Sequence, residues 1–177
     1  KKRILSLALS AAMALTMLPT GALLAGDKGK PPVYNKATGC YEISTPDQLL
    51  YLSGSWKDGA PRDGHYVLTA DIDMSGVKGF KPIASKKDSF IGTFDGQFHA
   101  IKGLRVEYEK KYAGLFGYVG NQDDQAYIKD VALLDCYVTG QQNVGALAGV
   151  NYGTITGCVV TGEVKCLDLS NSHTAGG

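Results

Sequence analysis

Apolar and polar residues alternate in the C-terminal part of the chain, and glycines interrupt the pattern at short intervals. Ile155, Cys158, Val160 and Val164 are interleaved there with threonine, glutamate and glycine. A period of two is typical of half-buried strands, and no helical periodicity competes with it. The segment therefore predicts short β-strands joined by tight turns.

The chain also repeats itself at two spacings. A Cys-X-Val-Thr-Gly string begins at Cys136 and again at Cys158, 22 residues later, while glycine-rich openings begin at Gly114, Gly145 and Gly176, 31 residues apart. The first two openings consist of Gly114, Leu115, Phe116 and Gly117, then Gly145, Ala146, Leu147, Ala148 and Gly149. Short β-units of this kind bury their apolar faces by stacking on their neighbours. The repeats predict a solenoid in which Cys136 and Cys158 hold equivalent positions.

A unit of this length fits one coil of a parallel β-helix. About 22 residues hold three strands of about 4 to 6 residues together with their turns. The chain has 23 glycines and only 6 prolines, which favours tight corners over a disordered linker. The sequence of a β-sandwich also shows short strands with regular turns. The repeated Cys-X-Val-Thr-Gly strings and glycine-rich openings favour an all-β solenoid instead.

A short helix is predicted upstream of the repeats. Thr45 is a candidate N-cap, Pro46 takes the first helical position, and Gln48 takes the capping-box position. The leucines that follow supply an apolar face: Leu49, Leu50 and Leu52. We expect this helix to cover the first coil.

Two further segments have strand patterns. Residues 66–74 alternate without a break, which predicts one half-buried strand. Residues 90–106 alternate on both sides of a corner at Asp95 and Gly96. We interpret residues 90–106 as the first full coil.

The N-terminal residues have the pattern of a secretory signal peptide. A basic start, Lys1-Lys2-Arg3, precedes an uncharged run from Ile4 to Leu18, and small residues follow. The run is shorter than the roughly 20 residues that span a bilayer. We expect a signal peptide at 1–25, a linker at 26–32 and one β-helix domain at 33–177, with no transmembrane segment in the mature chain. Because a third glycine opening begins at Gly176, we expect further domains of the same polypeptide downstream.

Charge excludes one class of partner. The formal net charge of +1 includes the three basic residues of the predicted signal peptide. The mature chain is therefore close to neutral, and electrostatic binding to nucleic acid is not expected.

Besides the glycine openings, five further segments form recognisable motifs: Ile43–Leu49, Leu68–Met74, Pro82-Ile83, Gly92–Gly96 and Ile101–Leu104. Together these segments resemble the GLUG-repeat region of secreted and surface proteins of Gram-positive and gut bacteria. Two departures are small: alanines occupy variable positions of the second opening, and Gly157 stands where asparagine often precedes the cysteine. The resemblance, from Tyr41 to Gly177, implies a right-handed parallel β-helix in a secreted or cell-surface protein. Similar segments precede the zinc peptidase domain of immunoglobulin A1 proteases and also occur in adhesin-like proteins.

Candidate catalytic chemistry is sparse. Asp71, Asp73 and Asp95 are the suggestive carboxylates, and the run from Asp71 imitates the start of an EF-hand loop but has Pro82 where a bidentate glutamate is needed. We interpret them as solvated strand residues and turn formers. The histidines are scattered, without a His-Glu-X-X-His motif. No catalytic residue, metal or cofactor is predicted for this chain.

The chain has four cysteines, and we expect it to be exported, so two interpretations of the cysteines remain: a disulfide or a ladder of reduced thiols. If Cys136 and Cys158 stack on adjacent coils, their backbones would lie within disulfide range, at about 5 Å. An inward ladder of reduced cysteines is also compatible, because free cysteine packs as a small hydrophobe. The other two cysteines are Cys40 and Cys166.

These patterns predict a non-catalytic, exported repeat module. It would serve adhesion, ligand presentation or a spacer role, with a host extracellular protein or a glycan as partner. Loops at 121–126 and 167–173 would carry recognition, and a group of aromatics suggests either a sugar-stacking surface or corner packing: Trp56, Tyr108, Tyr112, Tyr118 and Tyr152. The alternative is an accessory segment of a larger secreted enzyme, either a zinc metallopeptidase or a carbohydrate-active β-helix.

Overall fold

The structure is a computed structural model that describes residues 29–54, 60–167 and 175–176. The predicted signal peptide lies outside the described residues. One helix and fourteen strands occur in the described part of the chain. They are β1 (Val33–Asn35), β2 (Cys40–Ile43), α1 (Pro46–Leu52), β3 (His65–Leu68), β4 (Ile72–Asp73), β5 (Thr93–Asp95), β6 (Ala100–Lys102), β7 (Arg105–Ala113), β8 (Phe116–Val119), β9 (Tyr127–Lys129), β10 (Ala132–Gly145), β11 (Ala148–Asn151), β12 (Thr154–Thr156), β13 (Val159–Cys166) and β14 (Ala175–Gly176).

The strands form a parallel β-solenoid of about four turns, as the repeats predict. The first sheet stacks β2, β3, β5, β9 and β12 in parallel, and the second sheet is built around β4, β6, β10 and β13. Strands β8 and β11 form the third sheet. From β3 onward, successive coils therefore return to the first and second sheets in the same order, and these parallel pairings exclude the β-sandwich alternative.

Strand register aligns apolar side chains into columns that run through the coils. One column, in the first sheet, consists of Tyr41, Tyr66, Phe94, Ile128 and Ile155. Another, in the second sheet, consists of Val106, Val138 and Val164. The members in the middle coils, such as Phe94, Ile128 and Val138, have no solvent exposure. Burial of apolar area along these columns is the main stabilising contribution to the fold.

The predicted helix closes the N-terminal end of the solenoid. Thr45 Oγ1 accepts a hydrogen bond from the Gln48 amide at 3.3 Å, and Gln48 Oε1 accepts one from the Ser44 amide at 2.7 Å. In a standard capping box the side chain at this position accepts from the backbone amide of the N-cap residue. Here Gln48 accepts from Ser44, the residue before the N-cap. The helix leucines join the core, and β1 pairs antiparallel with β2 at the same end.

Two predicted elements need correction. The strand expected at 66–74 is divided into β3 and β4, although its apolar side chains stay buried on one side: Tyr66, Leu68, Ile72 and Met74. Apolar and polar residues keep alternating through this corner because the residues on both sides of it face the same core. The alternation alone therefore cannot show where β3 ends and β4 begins. Because β3 and β4 already belong to a coil, residues 90–106 are not the first coil.

The predicted equivalence of Cys136 and Cys158 is also corrected. Cys136 pairs with Gly162, and Cys166 pairs with Gly140. Cys158 instead precedes Val159, which is the partner of Ala132. The two similar strings therefore lie at different points of their coils, because the first one begins inside β10 and the second one begins just before β13.

The glycine openings, in contrast, stack on one another. Ala113 pairs with Val144, and Gly145 pairs with Gly176. The amide of Leu115 donates to the carbonyl of Ala146 at 2.9 Å, and Phe116 pairs with Ala148. A side chain at Gly114 or Gly149 would meet neighbouring backbone, so close coil packing requires glycine at both positions.

Left-handed residues turn the corner after the first sheet. Asp130 has φ 53° and, one coil later, Gly157 has φ 63°. Glycine and asparagine adopt this conformation most readily. A Cβ at Gly157 would also collide with the Asp130 carboxylate. A larger residue at 157 would therefore need the Asp130 side chain to move, and its own positive φ favours glycine.

Candidate functional site

A cavity lies at the second sheet, beside the corner that follows β4 and β6. It has a volume of about 460 Å³. Its lining combines three carboxylates with one lysine and small residues: Asp71, Ile72, Asp73, Ser75, Lys102, Gly103 and Asp135. The coil stacking creates the cavity, because its residues come from β4, β6 and β10 or the turns beside them.

Asp71 is the centre of a polar cluster at this cavity. Its carboxylate accepts hydrogen bonds from the Ala100 amide at 3.0 Å, from His99 Nδ1 at 3.3 Å and from Lys102 Nζ at 3.4 Å. The bond from the Ala100 amide, followed by that from His99, lowers the pKa of Asp71. The carboxylate is thus a fixed anion that ties the turn before β4 to the next coil.

Asp73 and Asp95 each hold a tight turn. Asp73 Oδ1 accepts from the Ser75 amide at 2.9 Å, and hydrogen bonds from Ser75 lower the pKa of Asp73. Asp95 Oδ1 accepts from the Gln97 amide at 2.9 Å, while its other oxygen lies 2.8 Å from Lys129 Nζ. These contacts agree with the interpretation of the carboxylates as turn formers.

The predicted site residues do not converge into a metal centre in the described part of the chain, where no group of three or more His, Cys, Asp or Glu is placed to hold an ion. The EF-hand imitation at Asp71 is a corner of the solenoid. Gly96, which follows Asp95, stacks on the next coil: its amide donates to the carbonyl of Lys129 at 2.8 Å.

The histidines differ in their surroundings. His65 is exposed on β3, and His173 lies outside the described residues. His99 contacts Asp71, a pairing that sequence reasoning missed. The two residues are 28 positions apart and meet only because successive coils stack.

The aromatic residues are divided between packing and the surface. Tyr118 is 8% exposed, and its ring lies against those of Tyr112 and Tyr152 at centroid distances of 5.5 and 5.7 Å. Burial, followed by a hydrogen bond with Tyr152, raises the pKa of Tyr118 to about 12. Tyr152 is 50% exposed. Tyr108 packs against the core, and Trp56 lies outside the described residues.

A corner loop, defined here as residues 121–126, projects beside Tyr152. Asn121 Oδ1 accepts from the amides of Asp123 and Asp124 at 2.8 and 2.7 Å, and its side-chain amide donates to Ser89 Oγ at 3.3 Å. The loop has an exposed tip at 122–125 and a buried base at Ala126. The other predicted loop, 167–173, lies outside the described residues except for exposed Leu167.

A second surface feature was missed by sequence reasoning. Arg105 and Lys165 both lie over the Tyr137 ring, at 4.3 and 5.3 Å from its centroid. Each cation also pairs with a glutamate on its own strand, Glu107 or Glu163. These residues come from three different coils, so only the strand register could reveal the contact.

The cysteines are free thiols in the structure. Cys136 is buried, and burial raises the pKa of its thiol; burial also raises the pKa of Cys158. Cys166 Sγ donates to the carbonyl of Gln141 at 3.0 Å.

Within residues 29–54, 60–167 and 175–176, no helix has the length and apolar character needed to cross a bilayer.

Comparison with known proteins finds two relatives, both much longer than this chain. Residues of this chain are 34% identical over 135 residues to halomucin of Haloquadratum walsbyi, an alignment that covers 70% of this chain and 1% of halomucin. A protein named as a Gly-rich membrane protein, from Evansella cellulosilytica, is 32% identical over 100 residues, covering 51% of this chain and 11% of that protein. No family model and no solved structure matches the chain.

The chain thus spans a small part of both relatives. Its β-solenoid fold and the names of these relatives fit an exported repeat module. An extracellular location is consistent with the same two observations.

Proposed function

We propose that this chain is a non-catalytic, GLUG-type repeat module of an exported bacterial surface protein, and that it acts as a rigid support that presents its coil corners to an external partner. The fold and the surface-type names of the relatives support the exported setting. The presenting role rests on the geometry of the corner loop.

The observation that carries this proposal is the contrast between the corner loop and the corners stacked on either side of it. Val119 pairs with Asn151, and Tyr127 pairs with Thr154. The corner between these strands is therefore formed by residues 120–126 in one coil. In the next coil the same corner is formed by Tyr152 and Gly153 alone. Phe90 bridges to Val119 and Thr93 pairs with Tyr127, so the coil before also turns through two residues. The loop is an insertion held between two short corners.

The surroundings of the loop suit presentation. The backbone of Gly120 packs against that of Tyr152 and Gly153, which fixes the base of the loop to the stack. The tip carries Asp123, Asp124 and two glutamines, all exposed. Loops on a rigid scaffold commonly carry recognition. An exposed polar tip on a fixed base is suited to a polar partner such as a glycan or a host extracellular protein.

Binding assays test the presenting role. The purified chain would be applied to arrays of glycans and of extracellular matrix proteins, in parallel with a variant in which Asp123 and Asp124 are changed to Asn. We expect binding that the variant weakens while its circular dichroism spectrum stays unchanged. Binding that is equal in both proteins would move recognition away from this loop, and no binding at all would leave only the spacer role.

Two further assays test the exported, non-catalytic setting. Expressed in a Gram-positive host, the chain should appear outside the cell with a new N-terminus close to residue 26, as Edman or mass analysis would show. A chain that stays inside the cell and keeps residues 1–25 would contradict export. Incubation with immunoglobulin A1 and with polysaccharides should leave both intact, and cleavage of either by the purified chain would contradict the non-catalytic role.

A further inference from the structure

The outer side of the first sheet carries an exposed aromatic residue in an interior coil. Ile128 is buried, so alternation along β9 directs Tyr127 and Lys129 to the outside. Tyr127 is 49% exposed although both of its register partners are in place, Thr93 in the coil before and Thr154 in the coil after. We call the outer side of β5, β9 and β12 the outer face.

Polar groups adjoin the Tyr127 ring. As its register partners, Thr93 and Thr154 carry their hydroxyl groups on the same face of the sheet. Two residues further along β9, Lys129 Nζ lies 2.8 Å from a carboxylate oxygen of Asp95. These groups supply hydrogen-bond donors and acceptors, and the two charges of the ion pair cancel. The ring is therefore bordered by hydrogen-bonding groups.

A second exposed aromatic residue lies where the outer face ends. Phe98 is 83% exposed, and its amide donates to the carbonyl of Asp130 at 2.9 Å. Asp130 is three residues beyond Tyr127 in the sequence, and three residues of extended chain span about 10 Å. Tyr127 and Phe98 therefore lie at opposite ends of the same face, with the ion pair between them.

Phe98 is also held in an unfavourable backbone conformation. Gln97 and Phe98 have φ 47° and 62°, in a turn closed by a hydrogen bond from the His99 amide to the Gly96 carbonyl at 2.8 Å. Glycine, asparagine and aspartate are the usual residues where two successive φ angles are positive, and a bulky side chain is an outlier there.

Strand register shows that this strained pair is an insertion. Asp95 pairs with Lys129, and Ala100 pairs with Ala132. Four residues therefore form this corner, whereas two form the same corner in the next coil. The inserted pair exposes an aromatic ring instead of burying it, so packing does not account for it. Strained residues of this kind cluster at binding sites.

We propose that the outer face binds an uncharged oligosaccharide, whose sugar rings stack on Tyr127 and Phe98 and whose hydroxyl groups bond to the polar side chains between them. The C–H side of a sugar ring suits the negative face of an aromatic ring, and its hydroxyl groups suit threonine, lysine and aspartate. This inference rests on the proposed function and deepens it, since it names the chemistry of the partner and adds a binding face beside the corner loop.

Two other classes of partner fit this face less well. An interface with a protein has an apolar core, whereas the outward residues between Tyr127 and Phe98 are polar. An anionic saccharide needs a cation, but Lys129 is already paired with Asp95, and the corner loop adds two further carboxylates. The face therefore favours a saccharide without charge.

Binding of soluble oligosaccharides to the full chain tests the inference. The uncharged probes are hexasaccharides of glucose, mannose, xylose and N-acetylglucosamine, and hexagalacturonate is the anionic comparison. Backbone amides would be followed by two-dimensional NMR in the parent, in Tyr127→Ala and in Phe98→Ala. The matched control is Tyr34→Ala, because Tyr34 is 51% exposed but lies on β1 at the opposite end of the solenoid.

We expect an uncharged probe to shift the amides of β5, β9 and the turn at 96–99. Tyr127→Ala and Phe98→Ala should each weaken this binding by about tenfold or more, and the control should bind as the parent does. No binding of any uncharged probe, tighter binding of hexagalacturonate, or equal binding by parent and variants would overturn the inference. Binding of an extracellular matrix protein that depends on Asp123 and Asp124 would, in each of these cases, leave the proposed function in place.

Phe98→Gly keeps the inference falsifiable if an alanine variant does not fold. Glycine adopts positive φ readily, so this variant should melt no lower than the parent and still bind the oligosaccharide about tenfold or more weakly. A folded Phe98→Gly protein that binds as tightly as the parent would overturn the role of this ring.

Discussion

Cys136 lies opposite Gly162 in the pairing of β10 with β13, and not opposite Cys158. Gly162 has φ +138°, a conformation that L residues rarely adopt, and a Cβ there would collide with the backbone carbonyl of Cys136. The register of the last two coils thus depends on a glycine that looks, in the sequence, like the end of a repeat.

Gly162→Ala should therefore destabilise the chain although position 162 is exposed. We expect a loss of about 2–4 kcal/mol in the free energy of unfolding, from backbone strain and steric overlap together. Urea denaturation monitored by circular dichroism measures this loss. Gly39→Ala is the matched control, because Gly39 also has positive φ but nothing lies within 4 Å of its added Cβ. The control should cost only about 1–2 kcal/mol, and equal losses at the two positions would contradict the predicted overlap.

Gln48→Ala should weaken the closed end. The substitution removes the acceptor for the Ser44 amide and hydroxyl, at 2.7 and 3.2 Å, on a side chain that is 8% exposed. We expect a loss of about 1–2 kcal/mol, because the amide loses its partner in a partly buried place. Thr45→Ser is the control, since it keeps the N-cap hydroxyl. A Gln48→Ala variant as stable as this control would show that the bond to Ser44 is not needed.

Deletion of residues 121–125 should leave the solenoid intact. Gly120 and Ala126 would then form a two-residue corner like that of Tyr152 and Gly153 in the next coil. We expect a melting temperature within about 5 °C of the parent, because short loops are cheap to close, and loss of any binding found for the parent. Loss of the parallel-sheet circular dichroism signal would contradict the view that these residues are an insertion.

Alkaline pH should destabilise the chain through Tyr118. Its pKa is raised to about 12 in the folded state, so it keeps its proton there after unfolded chains have lost theirs. The stabilisation is complete below the ordinary tyrosine pKa of about 10 and is lost as the pH rises through about 12. Between pH 10 and 11 we expect Tyr118 to account for a loss of about 1 kcal/mol.

Urea midpoints at pH 9, 10 and 11 measure this effect in the parent and in Tyr118→Phe. The phenylalanine variant should lose less stability over this range than the parent does. Identical pH dependence in the two proteins would contradict the raised pKa. Tyr66, which is fully buried and also has a raised pKa, contributes a remaining loss of the same sign in each.

Local sequence patterns predicted the elements whose causes are local. Thr45, Pro46 and Gln48 mark the helix because a cap involves neighbouring residues, and the alternation around Ile155 marks strands because side-chain direction changes at every residue. The parallel solenoid followed from the recurrence of such units.

Contacts between coils could not be predicted in the same way. The pairing of Cys136 with Gly162 depends on the number of residues in each corner of the solenoid. It also depends on the shift in strand register between Leu133 and Cys136. His99 meets Asp71, and Arg105 and Lys165 meet at Tyr137, for the same reason. Corner lengths differ between coils, so a similar string need not occupy a similar place.

The most direct test of this account is a crosslink across one coil boundary. Tyr127 and Thr154 are register partners in the first sheet and both are exposed, so cysteines at these positions would have Cα atoms about 5 Å apart, within disulfide range. Thr156, the partner of Lys129, provides the out-of-register control for Tyr127. Under mild oxidation, peptide mass mapping should find a disulfide in Tyr127→Cys/Thr154→Cys, none in Tyr127→Cys/Thr156→Cys, and none between Cys136 and Cys158. A crosslink in the control but not in the register pair, or one joining Cys136 to Cys158, would contradict the stacked register on which the account depends.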